Sequence, residues 1–161
     1  MPDVLTQPNA EEATQPLEYD RDEKREIIDA LNEALSREFQ AVIMYTQYAA
    51  SVTGPFRQQL SQFFSQEIPD ELGHAQYLAN KVAALGGVPT VTPAPVPQTT
   101  DAKEMLQNVV QAEDLARHKY AEYSELADKH GDVGLRNHLE DFADDETHHM
   151  EETEKQLRGW N

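Results

Sequence analysis

The residues best suited to chemistry stand in two copies of one short pattern, Asp70-Glu71-Leu72-Gly73-His74 and Asp145-Glu146-Thr147-His148-His149. Each holds Asp-Glu-x-x-His, and on a helix a Glu and a His three positions apart share a face. Such a pair offers a carboxylate oxygen and an imidazole nitrogen to one metal ion. A single Glu-x-x-His is weak support, because the pairing arises by chance in a chain this rich in Glu. The second copy lies 75 positions after the first, which makes the pattern testable against the rest of the chain.

Two further acids obey the same offset. Glu38 precedes Glu71 by 33 positions, and Glu113 precedes Glu146 by 33. The shift of 75 also carries Tyr45 onto Tyr120. Each tyrosine lies seven residues after the first Glu of its half, two helical turns along and on nearly the same face.

The segments that carry these residues read as helices. From Asp22, the residues Ile28, Leu31, Leu35, Val42, Tyr45, Ala49 and Val52 follow the three-and-four spacing of a bundle seam, with Glu38 on it. Gly54-Pro55 closes this helix and opens the next, with Pro55 suited to a first helical position. The second helix runs to Gly86-Gly87. Its stripe of Leu60, Phe64, Leu78, Val82 and Leu85 also holds Glu67, Glu71 and His74. Pro69 removes a hydrogen bond inside this helix and predicts a bend or bulge just before Glu71.

Val88 to Thr100 contains four prolines and no helical period, so it reads as an extended connection. Asp101 with Glu104 resembles a capping box opening a third helix. Its seam is Leu106, Val109, Ala116, Tyr120, Tyr123 and Ala127, with Glu113 inside it. His130-Gly131 ends that helix and Asp132 caps a fourth, where Leu135, Leu139 and Phe142 lead to Glu146 and His149 before Gly159. Four helices of roughly 27 to 32 residues result. Two short links make antiparallel hairpins, and the proline-rich segment is the single long crossover between them. The expected fold class is all-α, an antiparallel four-helix bundle. The acids lie near the midpoints of their helices, so four Glu and two His converge at one height in the core.

Composition narrows what can be bound there. The chain has 161 residues, enough for one domain with a real core, and residues 21–161 read as that domain. Residues 1–20, with Pro2, Pro8 and Pro16 among acids and amides, read as a mobile acidic tail. Cysteine is absent, which removes disulfides, thiolate metal sites and cysteine nucleophiles together. A net charge of −17 argues against nucleic acid as a direct partner. No apolar run approaches the ~20 residues of a membrane span and no signal-peptide pattern is present, so no membrane partner and a cytoplasmic location are expected.

Four carboxylates buried together repel one another and are costly to desolvate without counter-charge. Lys and Arg are missing from the central seam positions, whereas two divalent ions supply about +4. Carboxylates with two imidazoles suit iron or manganese.

At this point the sequence resembles the ferritin-like di-iron carboxylate superfamily, bacterioferritins in particular, from about Asp22 to Leu157. The resemblance implies that Glu38 and His74 serve one iron, Glu113 and His149 the other, and that Glu71 and Glu146 bridge them. Asp70 and Asp145 then accept hydrogen bonds from the imidazoles and fix their orientation. Tyr45 occupies the place of a tyrosine beside the bacterioferritin site, where it can donate an electron during oxygen reduction; an ordinary core aromatic is the other reading. The implied activity is a ferroxidase, oxidising Fe(II) to Fe(III) with O2 or H2O2, for iron storage or detoxification. Two Fe ions per chain are implied, with Mn as an alternative, in a homo-oligomer that is a dimer or a cage.

Several positions depart from the family pattern. Leu72 stands where bacterioferritins carry the Met that binds haem, so haem bound in that mode is not expected. No short fifth helix follows before Asn161, so a 24-subunit cage is not expected. Ala116 replaces the additional third-helix Glu of rubrerythrins. Two other readings stay open. One is a di-iron or di-manganese oxidase or peroxidase, rubrerythrin-like without rubredoxin; the other is a non-catalytic bundle stabilised by its metals. Glu67 is a candidate for an entry path or an auxiliary metal site. His148 reads as a surface residue, His118, His130 and His138 as structural or exposed, and Met44, Met105 and Met150 as packing.

Overall fold

The computed structural model of the protein describes residues 21–160; the expected acidic tail, residues 1–20, lies outside them. Four helices make up the regular structure: α1 (Arg21–Ser51), α2 (Arg57–Ala84), α3 (Ala102–Lys129) and α4 (Val133–Arg158). Their lengths are 31, 28, 28 and 26 residues, and no strand occurs among the described residues. α1 packs along α2 and α3 along α4, so the two expected hairpins form. None of the helices is long and apolar enough to cross a membrane.

The helix ends show local chemistry at work. Leu85, Gly86 and Gly87 close α2 in a Schellman arrangement: Gly86 takes φ +84°, its N–H reaches Ala83 O at 2.9 Å, and the Gly87 N–H reaches Val82 O at 2.9 Å. His130, Gly131 and Asp132 repeat it at the end of α3, with Gly131 at φ +73°. Asp132 then caps α4 by accepting the Leu135 N–H at 3.0 Å. Asp101 caps α3 through the Glu104 N–H at 2.8 Å. The reciprocal half of the capping box differs from expectation. Thr99 Oγ1 accepts the Asp101 N–H and donates to the Glu104 carboxylate, so the link runs through Thr99.

Three other expectations are corrected. Pro55 lies in the turn before α2, whose first helical residue is Arg57. Ile28 and Val42 sit at the margin of the core; Ile27, Met44 and Tyr48 are buried instead. Pro69 produces no bulge, and α2 continues through it as one α-helix. The proline deprives the Ser65 carbonyl of its donor, but Ser65 and Pro69 are both exposed, which leaves that carbonyl open to solvent.

The crossover is a strap laid along α1. Asn32 Nδ2 donates to Val88 O at 3.1 Å, Ser36 Oγ to Thr92 O at 2.8 Å, Gln40 to Pro95 O, and Tyr48 OH to Pro97 O at 2.6 Å. From Asn32 to Tyr48 a helix rises about 24 Å, and Val88 to Pro97 spans about 28 Å as polyproline-like chain. The strap therefore climbs the length of α1 in the same direction and delivers α3 antiparallel to it.

Apolar packing divides into two halves. One unites the start of α1, the end of α2, the end of α3 and the start of α4 around Leu31, Leu35, Leu78, Tyr120, Leu139 and Phe142. The other joins the end of α1, the start of α2 and the start of α3 around Tyr45, Tyr48, Leu60, Phe64, Leu106 and Val109. The layer between them is polar.

Two glycines test this packing in opposite directions. A Cβ on Gly87 would lie 2.7 Å from Ile28 Cγ2 and 3.1 Å from Val82 Cγ1, so Gly87→Ala forces the strap off α1. A Cβ on Gly73, in the interior of α2, meets nothing within 4 Å. In denaturant titrations Gly87→Ala is expected to destabilise by about 1–3 kcal/mol. Gly73→Ala is expected to stabilise by about 0.5–1 kcal/mol.

Candidate metal centre

The polar layer is built from the middle turns of all four helices. Glu38 of α1, Glu71 and His74 of α2, Glu113 of α3, and Glu146 and His149 of α4 are all buried. Each helix presents apolar residues one or two turns above and below: Leu35 before Glu38, Leu78 after His74, Val109 before Glu113, Phe142 before Glu146. The same periodic face that packs the bundle thus aims the six polar side chains inward.

Their ligating atoms form two overlapping groups, each within 4.8 Å: Glu38, Glu71, His74 and Glu146, and Glu71, Glu113, Glu146 and His149. Glu71 and Glu146 belong to both. His74 Nδ1 lies 3.0 Å from Glu146, 3.7 Å from Glu38 and 3.9 Å from Glu71. His149 Nδ1 lies 3.2 Å from Glu71, 3.4 Å from Glu146 and 4.0 Å from Glu113.

The outward sides of these groups are held by hydrogen bonds that cross between the hairpins. Tyr45 OH donates to Glu113 Oε1 at 2.5 Å, and Tyr120 OH donates to Glu38 Oε1. His74 Nε2 meets Asp145 Oδ2 at 3.0 Å. His149 Nε2 meets Glu67 Oε2 at 2.9 Å and Asp70 Oδ2 at 3.5 Å.

Electrostatics shows what this layer demands. Burial, then the charge of Glu146, pushes the Glu71 and Glu113 carboxyls well above the usual value. Burial also acts to raise Glu146, but the close approach of Glu113, His149 and His74 outweighs it and pulls it down. Burial would lower His74, yet the carboxylates of Glu146 and Glu38 close to its Nδ1 push it up to about 11; His149 is raised by Glu146, Glu67 and Glu71 against the same burial. Tyr45 and Tyr120 are pushed up by burial and by Glu113 and Glu38 respectively, so both stay protonated as donors. Arg37, the nearest cation along α1, pairs with Glu33 at 3.4 Å.

The donor set fits divalent metal ions. Glu38 Oε2, Glu71 Oε1, His74 Nδ1, both Glu146 oxygens and His149 Nδ1 are buried without a hydrogen-bond partner, and all belong to the two groups. Such atoms are costly to bury bare. A cavity of about 20 Å3 touches Glu38, Glu71, Glu113 and Glu146 and reaches outward between α1 and α3 past Arg37, Gln40, Ala41, Ala112 and Ala116. That volume holds roughly one water-sized particle.

All six residues singled out by the repeat therefore meet. Tyr45 lies against Glu113 of the other hairpin. Tyr120 holds Glu38 in the same way, a contact signalled by the offset of 75 alone. Periodicity carried no sign of Phe142 lying on the His74 ring at 4.2 Å, or of Glu67 bonding His149. Leu72 is half-exposed on the outer face of α2, and His148 is exposed. His118 and His138 are exposed too, His138 stacking on Tyr77 at 4.1 Å, while the His130 side chain is buried near Glu26. Met44, Met105 and Met150 are buried.

The chain is similar to known proteins in sequence and in fold. A bacterioferritin of Brucella melitensis is 31% identical over 134 residues, covering 81% of this chain and 82% of that protein. A ferritin-like, diiron-carboxylate protein of Bacillus anthracis is 43% identical and superimposes with a TM-score of 0.84, over 86% of this chain and 99% of that one. A dodecameric thioferritin, the bacterioferritin-related protein of Bacteroides fragilis, superimposes with a TM-score of 0.77 at 25% identity, over 84% of this chain and 86% of that one. The sequence matches the ferritin-like domain family across residues 28–161, and the chain belongs to that family.

Proposed function

We propose that Glu38, Glu71, His74, Glu113, Glu146 and His149 hold two iron ions and that the protein is a ferroxidase, oxidising Fe(II) to Fe(III) with O2 or H2O2. The observation that carries this reading is the pair of overlapping groups, with Glu71 and Glu146 shared and the inward atoms bare of hydrogen bonds. Glu38 and His74 would hold one ion and Glu113 and His149 the other, with Glu71 and Glu146 shared by the two groups. Two irons held side by side supply two electrons together, enough to take peroxide to water or O2 to peroxide. Manganese suits the same donors.

The chain's own residues position and protonate this centre. Tyr120 and Tyr45 donate to Glu38 and Glu113 and leave one oxygen of each free to turn inward. Tyr45, buried against Glu113, is the proposed electron donor during oxygen reduction. The outer carboxylates Asp145, Asp70 and Glu67 set the ring orientation of the two histidines.

Iron storage or detoxification as the physiological role draws support from the Brucella bacterioferritin and from a bacterial non-heme ferritin of Staphylococcus saprophyticus, 26% identical over 76% of this chain. A homo-oligomer is proposed on the same footing, with the Bacteroides relative a dodecamer. An apolar groove of about 250 Å3 formed by Phe39, Val42, Ile43, Val91 and Pro93 supports it as surface for a second copy to cover.

Three measurements test this reading. In stopped-flow mixing of Fe(II) with O2 or H2O2, turnover is expected to continue beyond two irons per chain. Oxidation that stops at two would instead favour a di-iron oxidase or peroxidase acting on another substrate. Glu146→Ala is expected to weaken binding of the ion pair beyond the about 10- to 100-fold cost of losing a residue that only supports a ligand, and to abolish turnover. Tyr45→Phe is expected to slow oxidation while leaving the metal stoichiometry unchanged.

The metal-free protein carries a pH signature as well. Glu71 and Glu113, raised above their usual 4.5, contribute stability that is complete below that value and lost as pH climbs through their folded values. His74 contributes in full below 6.5 and loses its share as pH rises towards about 11. Glu146, pulled down, loses its share only as pH falls below 4.5. Thermal melts of metal-free protein should therefore show Tm falling from pH 6.5 to 9. Metal-loaded protein should resist that fall, and calorimetry in buffers of different ionisation enthalpy should show protons released on loading.

A further inference from the structure

The offset of 75 that pairs the two halves fails at one position beside the centre: it carries Glu67 onto Phe142. Both side chains lie next to a histidine of the layer, on opposite sides of the site. Phe142 covers the His74 ring with centroids 4.2 Å apart. Glu67 accepts from the outer nitrogen of His149 at 2.9 Å.

The two imidazoles are therefore supported unequally. The outer nitrogen of His74 has Asp145, whose side chain is 52% exposed and well screened by water. The outer nitrogen of His149 has Glu67, only 17% exposed, and Asp70 beyond it at 3.5 Å. A carboxylate held in partly buried surroundings acts through a lower effective dielectric, and its charge against an N–H makes the opposite nitrogen a stronger donor. It also locks the tautomer that leaves Nδ1 free, towards Glu71, Glu113 and Glu146.

We infer that Glu67 is a positioning residue that makes the metal position at Glu113 and His149 the tighter of the two. This rests on the dinuclear reading above. The His149 position fills first and keeps its ion, and the Glu38–His74 position is the one that exchanges. The near-symmetric ligand set thereby acquires a resident site and a turnover site.

The test is anaerobic titration of the metal-free full chain with Co(II), followed by calorimetry and by the visible d–d absorption of each equivalent. Wild type is expected to bind two equivalents in steps separated by at least about tenfold. Glu67→Gln should weaken the first step by about 10- to 100-fold and alter its absorption, with the second step unchanged. Glu67→Asp, which keeps the charge, should recover part of the loss. Two equal steps in wild type overturn the inference and leave the dinuclear reading intact. So does a Glu67→Gln protein in which both steps are unchanged or both weaken alike, the mark of a merely structural role. Loss of a third equivalent alone would make Glu67 an auxiliary ligand and likewise overturn it. Fewer than two equivalents bound by wild type would overturn the dinuclear reading itself.

Discussion

Four carboxylates meeting in the dry middle of a helical bundle set the constraint on which the remaining structure depends. Two like charges about 4 Å apart repel by about 4 kcal/mol at an effective dielectric near 20. A domain of this size has a total stability of only about 5–15 kcal/mol, so Glu38, Glu71, Glu113 and Glu146 cannot all be ionised there unopposed. In the metal-free site, burial and neighbouring charge push Glu71 and Glu113 above the usual carboxylate value, and the surrounding carboxylates push His74 and His149 up. Divalent ions held there would meet it more directly, engaging the atoms that otherwise lack partners.

The same layer joins the hairpins. Tyr45 of α1 bonds Glu113 of α3 and Tyr120 of α3 bonds Glu38 of α1; His74 of α2 bonds Asp145 of α4 and His149 of α4 bonds Glu67 of α2. Every one of these links crosses from one hairpin to the other. The apolar halves above and below exclude water, and the polar layer sets the register between the hairpins. Sheltered in this way, the hydrogen bonds orient these side chains more firmly than they would at a wet surface.

The strap contributes by topology. Its prolines hold it extended along α1, and its carbonyls are met by Asn32, Ser36, Gln40 and Tyr48, so α3 enters from the far end of the bundle. With both hairpins antiparallel and α3 antiparallel to α1, residues near the middle of every helix reach the same height. A short link from α2 to α3 would have placed Glu113 elsewhere.

Much of this was legible in the residues. Helical periods, Gly-Pro and His-Gly breaks and the Asp caps placed four helices to within a few positions, because each signal is local and acts within one or two turns. The offset of 75 and the interval of 33 picked out the six residues that meet, because a duplicated hairpin keeps its own internal geometry. Pro69 opened no bulge for a reason that is also local: its effect depended on whether the Ser65 carbonyl faced water, and the seam pattern does not state that for a helix carrying acids on its inner face.

What the tertiary structure alone decided concerns contacts between helices. Which oxygen of Glu38 turns to Tyr120, which nitrogen of His149 turns to Glu67, and that Phe142 rather than a carboxylate lies on His74 all depend on the relative rotation and height of separate helices. Periodicity fixes the inward face of each helix to within a turn, about 5.4 Å, whereas a hydrogen bond requires placement to a few tenths of an ångström. The sequence by itself therefore determined the fold and which six polar side chains meet in its middle. Packing decided which partner each of them meets.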